Sequence, residues 1–560
     1  MAAATSSFHL PPPRQLARLA SAVLPSEISQ SPLLGILGVI IGAGVVTLTS
    51  RMITMGLPDY KGYYGFSYDD AAWIGTAFNA GLMFIGPFTV YLGGLIGPRR
   101  ILLAAAGAFT ATMLVLPFIH SYSLAIVALV FAGMTSGTFY PLTLTFALRN
   151  IPLRYLPFTI ALYASSVDGA LNIAPSLYGW YQTHLSWEWM FWNSALITPV
   201  MMLCIYYGIP KLKPHPDGLD GDRPSFAGFL SASLGLALIL AACEQGERLD
   251  WWNSGLFAGL FISGLFFVLF AVLHRLARPN PLVDLPYLRQ WNALLLGIGL
   301  FVFRFCLVTT IILVPQSLSI QGFLPDQIGP AMIWSAAPLL LLTFIAALML
   351  LSDLDSRLLF AGGFLAMGFA CYVNSQFTSV WAAENYYRTE LLLGFGQSFA
   401  FIGLVSTIIL MALFAGALAK GEWTMMFSCF FHTIRLFGGN IGAVIMGRYV
   451  AEREKVHSNL LGLHVQGGNW VTDSQLHGTA AKLFSHSSGL PAATARSAAV
   501  LSSRLRLQAY TLSLQDGWFL VAWACVLGLL LVFLLRESPM SYADLSTIQP
   551  VATSRGETRL

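Results

Sequence analysis

Asp168 is the residue whose type and position best suit proton transport. It lies near the middle of an apolar segment, 156–193, which reads as a membrane-spanning helix with a tryptophan-rich end. A charge at bilayer depth costs roughly 2.5–3.5 kcal/mol, so an acid there is a functional candidate. Burial disfavours the charged form of a carboxylate, which lets such an acid take up and release a proton. We expect Asp168 to couple transport to protons; the alternative is a structural partner for a buried arginine.

Basic residues also occur inside apolar runs. Arg304 lies mid-run, Arg435 lies in a later run with His432 one helical turn earlier, and Arg51 lies toward the outer end of the first run. Arginine keeps its proton, so each needs a carboxylate, carbonyl groups, water or an anionic substrate. One acid against up to three arginines predicts a positively biased cavity for amphipathic anions, such as weak organic acids. Alternatively, Arg51 and Arg435 extend to the interface or bind carbonyl groups at helix ends.

Neutral polar residues complete the set of candidate substrate-binding positions. Gln397, Asn79 and Asn172 each lie within an apolar run. Their amides could hydrogen-bond a substrate, although hydrogen bonding between helices is the more frequent role of such residues in membranes. We expect a substrate site near the middle of the membrane, formed by Arg304, Arg435, His432, Gln397, Asn79 and Asn172.

A second group of residues is expected to shape the helices. Proline and glycine allow a helix to kink, and small residues four apart allow two helices to approach closely. Short turns that end in arginine are expected on the cytoplasmic side. The positions concerned are Pro175, Gly179, Gly438, Gly442, Arg99 and Arg100.

Several function classes lack their sequence signals. No Gly-x-x-x-x-Gly-Lys-Ser/Thr loop for ATP and no Gly-x-Ser-x-Gly elbow for a serine hydrolase occurs. The six cysteines are scattered without a paired spacing and are expected to pack as small apolar side chains. We expect no enzyme activity, no cofactor and no metal site.

The composition places the chain in a membrane. Hydrophobic residues make up 56% of the 560 residues and charged residues 10%, against about 25% in soluble proteins. A helix needs about 20 apolar residues to span a bilayer. Fourteen such runs are present, at 34–57, 71–95, 101–119, 123–148, 156–178, 190–209, 226–243, 255–273, 293–315, 328–351, 358–377, 391–413, 426–450 and 519–535.

Basic residues alternate between the connecting segments and predict the orientation. Lysine and arginine concentrate in every second connection, which places both termini in the cytoplasm by the positive-inside rule. A weak repeat, the arginine-ending turns after runs two and ten, divides the spans into two halves of six with an inserted pair. The predicted segments are a tail at 1–33, a half at 34–209, an inserted pair with linkers at 210–290, a half at 291–536 and a tail at 537–560.

One long segment, 451–515, is polar and is expected as a loop on the outer side. Its second part, 492–514, has apolar residues at helical spacing, so an amphipathic helix is expected there. Such a face needs the bundle or a partner to cover it. The irregularly spaced histidines of the segment are expected to be solvated.

The motifs in their order resemble the fourteen-span drug:proton antiporter family of the major facilitator superfamily, the EmrB/QacA type. No single match is specific, but their order and spacing together are. The matching stretches are 48–59, 72–78, 174–179 with 187–193, 244–254, 435–442 and 515–519. The resemblance implies an all-helical membrane fold of two six-helix halves plus two inserted helices.

Three departures bear on function. The first-helix aspartate of that family is Thr49, Gly94 replaces a loop aspartate, and Leu129 stands where an arginine is usual. The resemblance implies a proton-coupled exporter of drugs or small amphipathic, including anionic, compounds across the inner membrane. It also implies a periplasmic membrane-fusion adaptor and an outer-membrane channel as partners. A dedicated metabolite or siderophore exporter, an importer of the same fold, and a non-transporting receptor or enzyme are the alternatives.

Overall fold

The computed structural model describes residues 32–150, 155–209, 225–276, 291–352, 354–414 and 421–535. These residues form long helices, and no strand occurs among them. Thirteen helical segments of the described ranges are long and apolar enough to cross a membrane. Helix Leu156–His184, whose polar residues lower its hydropathy, lies inside the bundle and makes the fourteenth. The predicted all-helical membrane fold is confirmed.

The first half contains seven helical segments for six spans. The fourth span is broken at Gly137–Thr138, four residues before Pro141, which has no N–H to donate to residue 137. The helices are α1 (Pro32–Tyr64), α2 (Tyr68–Ile96), α3 (Pro98–Val115), α4 (Tyr122–Gly137), α5 (Phe139–Asn150), α6 (Leu156–His184) and α7 (Trp189–Gly208).

The inserted pair packs against the first half. It consists of α8 (Phe226–Gln245) and α9 (Gly255–Leu276), which pack closely on each other. Helix α8 lies along α2 and also touches the second half. At its end, Gln245 Nε2 donates to Thr76 Oγ1 of α2 at 2.8 Å. The insertion therefore belongs to the helical bundle and is not a separate body.

The second half contains the remaining helices. Its first span widens into a π turn, Thr309–Leu313, where Pro315 cannot donate to residue 311. A second break lies at Ala337–Pro338, just before Leu339. The helices are α10 (Trp291–Cys306), α11 (Val314–Ser319), α12 (Pro325–Ala336), α13 (Leu339–Leu351), α14 (Ser356–Asn374), α15 (Ala383–Phe414), α16 (Gly421–Gly462), α17 (Trp470–Leu483) and α18 (Leu490–Leu534).

The expected outer loop is instead a helical hairpin, and that expectation is corrected. Helix α16 runs on to Gly462, α17 follows, and α18 begins at Leu490, 29 residues before the predicted last span. Polar residues do not end a helix unless they supply a breaker. The glycines at 462, 467–468 and 489 lie at helix ends or between helices, and Gly478 is tolerated inside α17. The amphipathic helix expected at 492–514 is present. We call this end of the bundle the hairpin end and the opposite end, near residues 32 and 535, the tail end.

Asp516 ties the two long helices of the hairpin together. Its Oδ2 accepts from Arg453 Nε at 2.6 Å and lies 2.7 Å from His457 Nε2. Both basic residues belong to α16, whereas Asp516 belongs to α18. His457 was expected in a solvated loop, but it is half-buried and bound here.

We expect Asp516→Asn to loosen the hairpin without unfolding the bundle. The ion pair is partly exposed, so its loss should cost only about 1 kcal/mol. Amide hydrogen exchange across 451–489 should become severalfold faster, and exchange in α14 should not change. Asp69→Asn breaks another exposed ion pair, with Arg248, and is the matched control. Unchanged exchange in the hairpin would show that apolar packing alone holds it.

Candidate functional site

The central polar cluster is built on α6. Asp168 and Asn172 are both fully buried and lie one turn apart. Asn172 Nδ2 donates to the Asp168 carbonyl at 3.0 Å and to Gln397 Oε1 of α15 at 3.0 Å. Gln397 Nε2 in turn donates to Thr310 Oγ1 of the π turn at 2.8 Å. This chain of amides links the first half to the second beside Asp168.

Two arginines of the second half act on the Asp168 carboxyl group. Arg304 of α10 and Arg435 of α16 are its charged neighbours, and both are buried. Arg304 Nε donates to the Arg435 carbonyl at 3.2 Å. A methyl group at Gly439 would lie 2.8 Å from Arg304 Nη2, so the absence of a side chain there makes room for the guanidinium. Asp168 has no direct hydrogen bond to either arginine within the described part of the chain.

Aromatic side chains line the cluster on the side of Arg435. The Arg435 guanidinium lies 4.0 Å from the ring centre of Tyr140, a cation–π contact. His432 stacks on the same ring at 5.0 Å between centres, and its Nε2 lies 2.9 Å from the hydroxyl of Tyr163. The Tyr140 hydroxyl and Thr47 Oγ1 are 2.7 Å apart. The proline break that starts α5 places Tyr140 here.

Arg51 of α1 joins the cluster through the π turn. Its Nη2 donates to the Thr310 carbonyl at 3.1 Å, next to the hydroxyl that Gln397 binds. The π turn therefore presents Thr310 to both residues. Guanidinium groups from α1, α10 and α16 thus belong to one cluster that holds one carboxyl group, with Arg51 joined to it through Thr310.

Many polar atoms of this cluster lack a partner among the described residues. Unpaired buried polar atoms are costly, so such a group marks a place for a ligand or for water. These atoms are both carboxyl oxygens of Asp168, Oδ1 of Asn172, Nε of Arg51, Nη1 of Arg304, Nε and Nη2 of Arg435, and Nδ1 of His432.

Asn79, also predicted as a substrate ligand, lies elsewhere. Its Nδ2 donates to Glu244 Oε1 of α8 at 3.0 Å, and Ser50 Oγ donates to its Oδ1 at 3.4 Å. Asn79 therefore joins the inserted pair to α1 and α2 in this structure. The other five predicted ligands and Asp168 do converge.

The expectation of one acid at membrane depth is wrong. Glu390 of α15 is fully buried, and Glu244 lies within α8 against Asn79. Both were missed because each lies one residue beyond its predicted apolar run, 391–413 and 226–243. Tyr140 and Tyr163 were missed because aromatic residues are common at all depths; the Tyr-Pro pair at 140–141 was the available signal.

The shaping residues have distinct surroundings. At Gly179 a methyl group would lie 2.6 Å from the Asp326 Cα of α12, and Gly442 similarly faces the Phe305 Cα at 3.1 Å. Gly438 lies against Arg304 and Phe301. Pro175 lies buried within α6. At the tail end, Arg99 Nη2 donates to the Tyr206 carbonyl at 2.5 Å, and Arg100 is exposed.

The two halves touch on both sides of the cluster. Toward the hairpin end, Ser176 Oγ of α6 donates to the Gly329 carbonyl of α12 at 2.6 Å. Toward the tail end, the hydroxyls of Ser165 of α6 and Thr343 of α13 are hydrogen-bonded. The cluster therefore lies between contacts that separate it from both ends of the bundle along α6.

Comparisons with known proteins agree with this architecture. The family model of the Major Facilitator Superfamily matches residues 39–443. The fatty acid resistance protein FarB of Neisseria gonorrhoeae is 23% identical over 444 residues, covering 78% of this chain and 83% of its own. The multidrug export protein EmrB of Haemophilus influenzae is 22% identical, covering 88% and 93%.

A solved structure shows the same fold. The proton:xylose symporter XylE superposes with a TM-score of 0.51 at 10% identity, covering 91% of this chain and 98% of its own. The resemblance to EmrB-type proteins, stated from motifs alone, is confirmed by the named relatives. With a family model that matches 405 of its residues, this chain belongs to the major facilitator superfamily.

Proposed function

We propose that this chain is a proton-coupled efflux transporter for small amphipathic compounds, with a preference for those that carry an acidic group. The observation that carries the proposal is the meeting of three buried arginines with one acid, where several arginine N–H groups have no partner among the described residues. Two relatives support export: one is a fatty acid resistance protein and another is a multidrug export protein. Arginine presents planar donors that suit a carboxylate or sulfonate.

The proposed coupling works between the two halves. Asp168 belongs to α6 in the first half, whereas Arg304 and Arg435 belong to the second half. When Asp168 is charged, its attraction to both arginines crosses the interface. When it takes up a proton, that attraction is lost and the halves can rock about the site. A proton or substrate that binds one arrangement of the two halves more tightly shifts the equilibrium toward that arrangement, by an amount set by the difference in affinity.

We expect Arg435→Gln to weaken export of anions selectively. Hydrogen bonds to charged groups contribute about 1.5–3 kcal/mol, which corresponds to a rise in apparent Km of about 10- to 150-fold. The measurement is efflux of taurocholate, an amphipathic sulfonate, from cells that lack other pumps. Efflux of ethidium, a cation, should not weaken.

A matched control lies on the same helix. Arg448 is partly exposed and pairs with Glu247, so Arg448→Gln removes one positive charge of α16 without touching the cluster. It should leave taurocholate efflux unchanged. Strong efflux of cationic dyes by the unaltered protein, with no efflux of any anion, would refute the anion preference.

Orientation and partners complete the proposal. We place the protein in the inner membrane with both termini in the cytoplasm, so that the hairpin end faces outward. The hairpin, with exposed Trp470, Val471 and Leu463, is the surface where we expect a periplasmic membrane-fusion adaptor to bind, leading to an outer-membrane channel. Crosslinking from a photoreactive residue at 470 would test this contact.

The alternatives differ in measurable ways. Under the same pH gradient, an importer of the same fold would move substrate in the opposite direction to an exporter. A dedicated metabolite or siderophore exporter would move one compound of a broad panel. A receptor or enzyme would move none, and no catalytic residue pattern in the sequence favours it.

A further inference from the structure

A second polar pocket lies inside the second half, away from the arginine cluster. Glu390 lies two turns into α15 from the hairpin end and is fully buried. Neither of its carboxyl oxygens has a hydrogen-bond partner among the described residues. Ser335 of α12 lies beside it, but the Ser335 hydroxyl donates to the Met332 carbonyl at 2.8 Å.

Helix register brings two more unpaired side chains to the level of Glu390. Helices α14 and α15 run antiparallel, with Gly363 against Ala400 and Met367 against Gly396, so residue 374 lies opposite residue 389, next to Glu390. Helices α14 and α18 also run antiparallel, with Gly368 against Cys525 and the Phe377 carbonyl bound by Gln515. Both polar side-chain atoms of Asn374 and the indole N–H of Trp518 are fully buried, and none of them has a hydrogen-bond partner within the part of the chain that the structure describes.

Glu390 has few charged or titratable neighbours among the described residues. No arginine or lysine forms an ion pair with it within the described ranges, in contrast to Asp168 with its two arginine neighbours. The titratable groups that face it are the thiol of Cys371 on α14 and the phenol of Tyr386 on its own helix, which donates to Ser317 Oγ at 2.9 Å. Helices α12 and α18 contribute the uncharged Ser335 and Trp518.

We propose that Glu390, with Asn374 and Trp518, is a second proton-binding site of this transporter, separate from the substrate cluster. A charged Glu390 has no counter-ion while the pocket is sealed, so it holds a proton there and loses it when water enters. The Asn374 Oδ1 can accept from the protonated form, and the N–H groups of Asn374 and Trp518 can donate to the charged form.

The pocket suits a proton better than a metal ion. Hard cations such as Mg²⁺ and Ca²⁺ take six or more oxygen ligands. Among the residues that the structure describes, only the carboxyl group and one amide oxygen are free here, and the indole N–H would face the cation. A sodium requirement for transport would therefore speak against this assignment.

Glu390 is also separate from the arginines that are proposed to bind the substrate. It lies about 10 Å along α15 from Gln397, outside the cluster. A proton on Glu390 therefore adds to the number of exchanged protons without altering the charge beside the arginines.

The experiment counts protons, and this inference rests on the proposed export function. The full-length protein is reconstituted in liposomes with the membrane potential clamped at zero, and the steady-state gradient of taurocholate is measured against the pH gradient. Two exchanged protons give a logarithmic slope of two, and one gives a slope of one. We expect a slope of two for the unaltered protein and one for Glu390→Gln.

Controls separate the outcomes. Glu384→Gln makes the same change on an exposed turn of α15 and should keep a slope of two. Glu390→Asp retains the acid and should also keep it. A slope of one in the unaltered protein, or two in Glu390→Gln, overturns the second site. No gradient-driven transport of taurocholate or of any other compound by the unaltered protein would instead overturn the proposed function.

Discussion

Asp168→Asn is expected to abolish export driven by a pH gradient while the protein still folds and binds substrate. Each unit of pH gradient supplies about 1.4 kcal/mol per proton, enough for about a tenfold substrate gradient. Asparagine has nearly the same shape but takes up no proton. The exchange of the halves would then no longer depend on a proton at Asp168, so the substrate would leak back and equilibrate across the membrane even though Glu390 still binds its proton.

Although transport is lost, the Asp168→Asn variant should bind an anionic substrate more tightly than the unaltered protein does. Asp168 and an anionic substrate draw on the same two arginines, Arg304 and Arg435. Removing the carboxylate should therefore tighten binding of taurocholate and weaken binding of ethidium. If the Asp168 carboxylate were purely structural, its replacement would lower both affinities through misfolding. Opposite changes in the affinities for taurocholate and ethidium therefore identify an electrostatic role.

The measurement combines binding to the purified protein with the liposome assay. Asp473→Asn, a change in the hairpin helix α17, is the control for the substitution itself and should alter neither readout. Gradient-dependent accumulation of substrate by Asp168→Asn would remove this residue from the mechanism. It would leave the separate test of Glu390 intact.

The residues of the central cluster were largely predictable because charge inside an apolar run is a strong signal. Asp168, Arg304 and Arg435 each stand out in this way, and their meeting follows from the duplicated architecture of such transporters. Asn172 and Gln397 followed from the same reasoning. What the sequence could not supply was their pairing, because contacts between helices from different halves leave no local pattern.

The misses have physical causes. Glu390 and Glu244 lie at the ends of apolar runs, where an acid is expected to face water. The depth of a residue depends on how far its helix extends into the bundle, and hydropathy alone does not report this. Nothing in the sequence around Asn79 indicated which neighbouring helix its side chain would contact. The hairpin was read as a loop because its polarity resembles that of a solvated connection.

The cysteines illustrate the same limit. Their spacing suggested six unrelated packed side chains, and in the structure all six are free. Three of them, Cys306, Cys371 and Cys525, nevertheless come from three different helices and meet inside the second half. The Sγ atoms of Cys306 and Cys525 are 3.6 Å apart. Distances of this kind arise only from the packing of α10, α14 and α18.

Gly179→Leu is expected to produce the second large effect, by forcing apart the two halves at the hairpin end. A methyl group at Gly179 would lie 2.6 Å from the Cα and 2.7 Å from the backbone nitrogen of Asp326. Both atoms belong to the main chain of α12, so no side-chain rotation relieves the clash. The neighbouring contact has the same form, since a methyl group at Gly329 would lie 2.6 Å from the Ser176 Cα.

The energy involved is enough to shift a conformational equilibrium. Overpacking costs about 1–3 kcal/mol, which changes a two-state ratio by about 5- to 150-fold. Because the clash exists only when α6 and α12 meet, the cost falls on the state closed at the hairpin end. Export should fail, since substrate could no longer be loaded from the tail end.

The shift can be measured directly as a distance. Spin labels at Thr183 on α6 and at Leu324, just before α12, are both exposed and report the gap at the hairpin end. We expect a longer distance in Gly179→Leu, and a smaller change of the same sign in Gly179→Ala. Gly75→Ala, at a position with open space around it, should leave the distance unchanged. An unchanged distance in Gly179→Leu, with export intact, would mean that α6 and α12 need not approach this closely at any stage of transport.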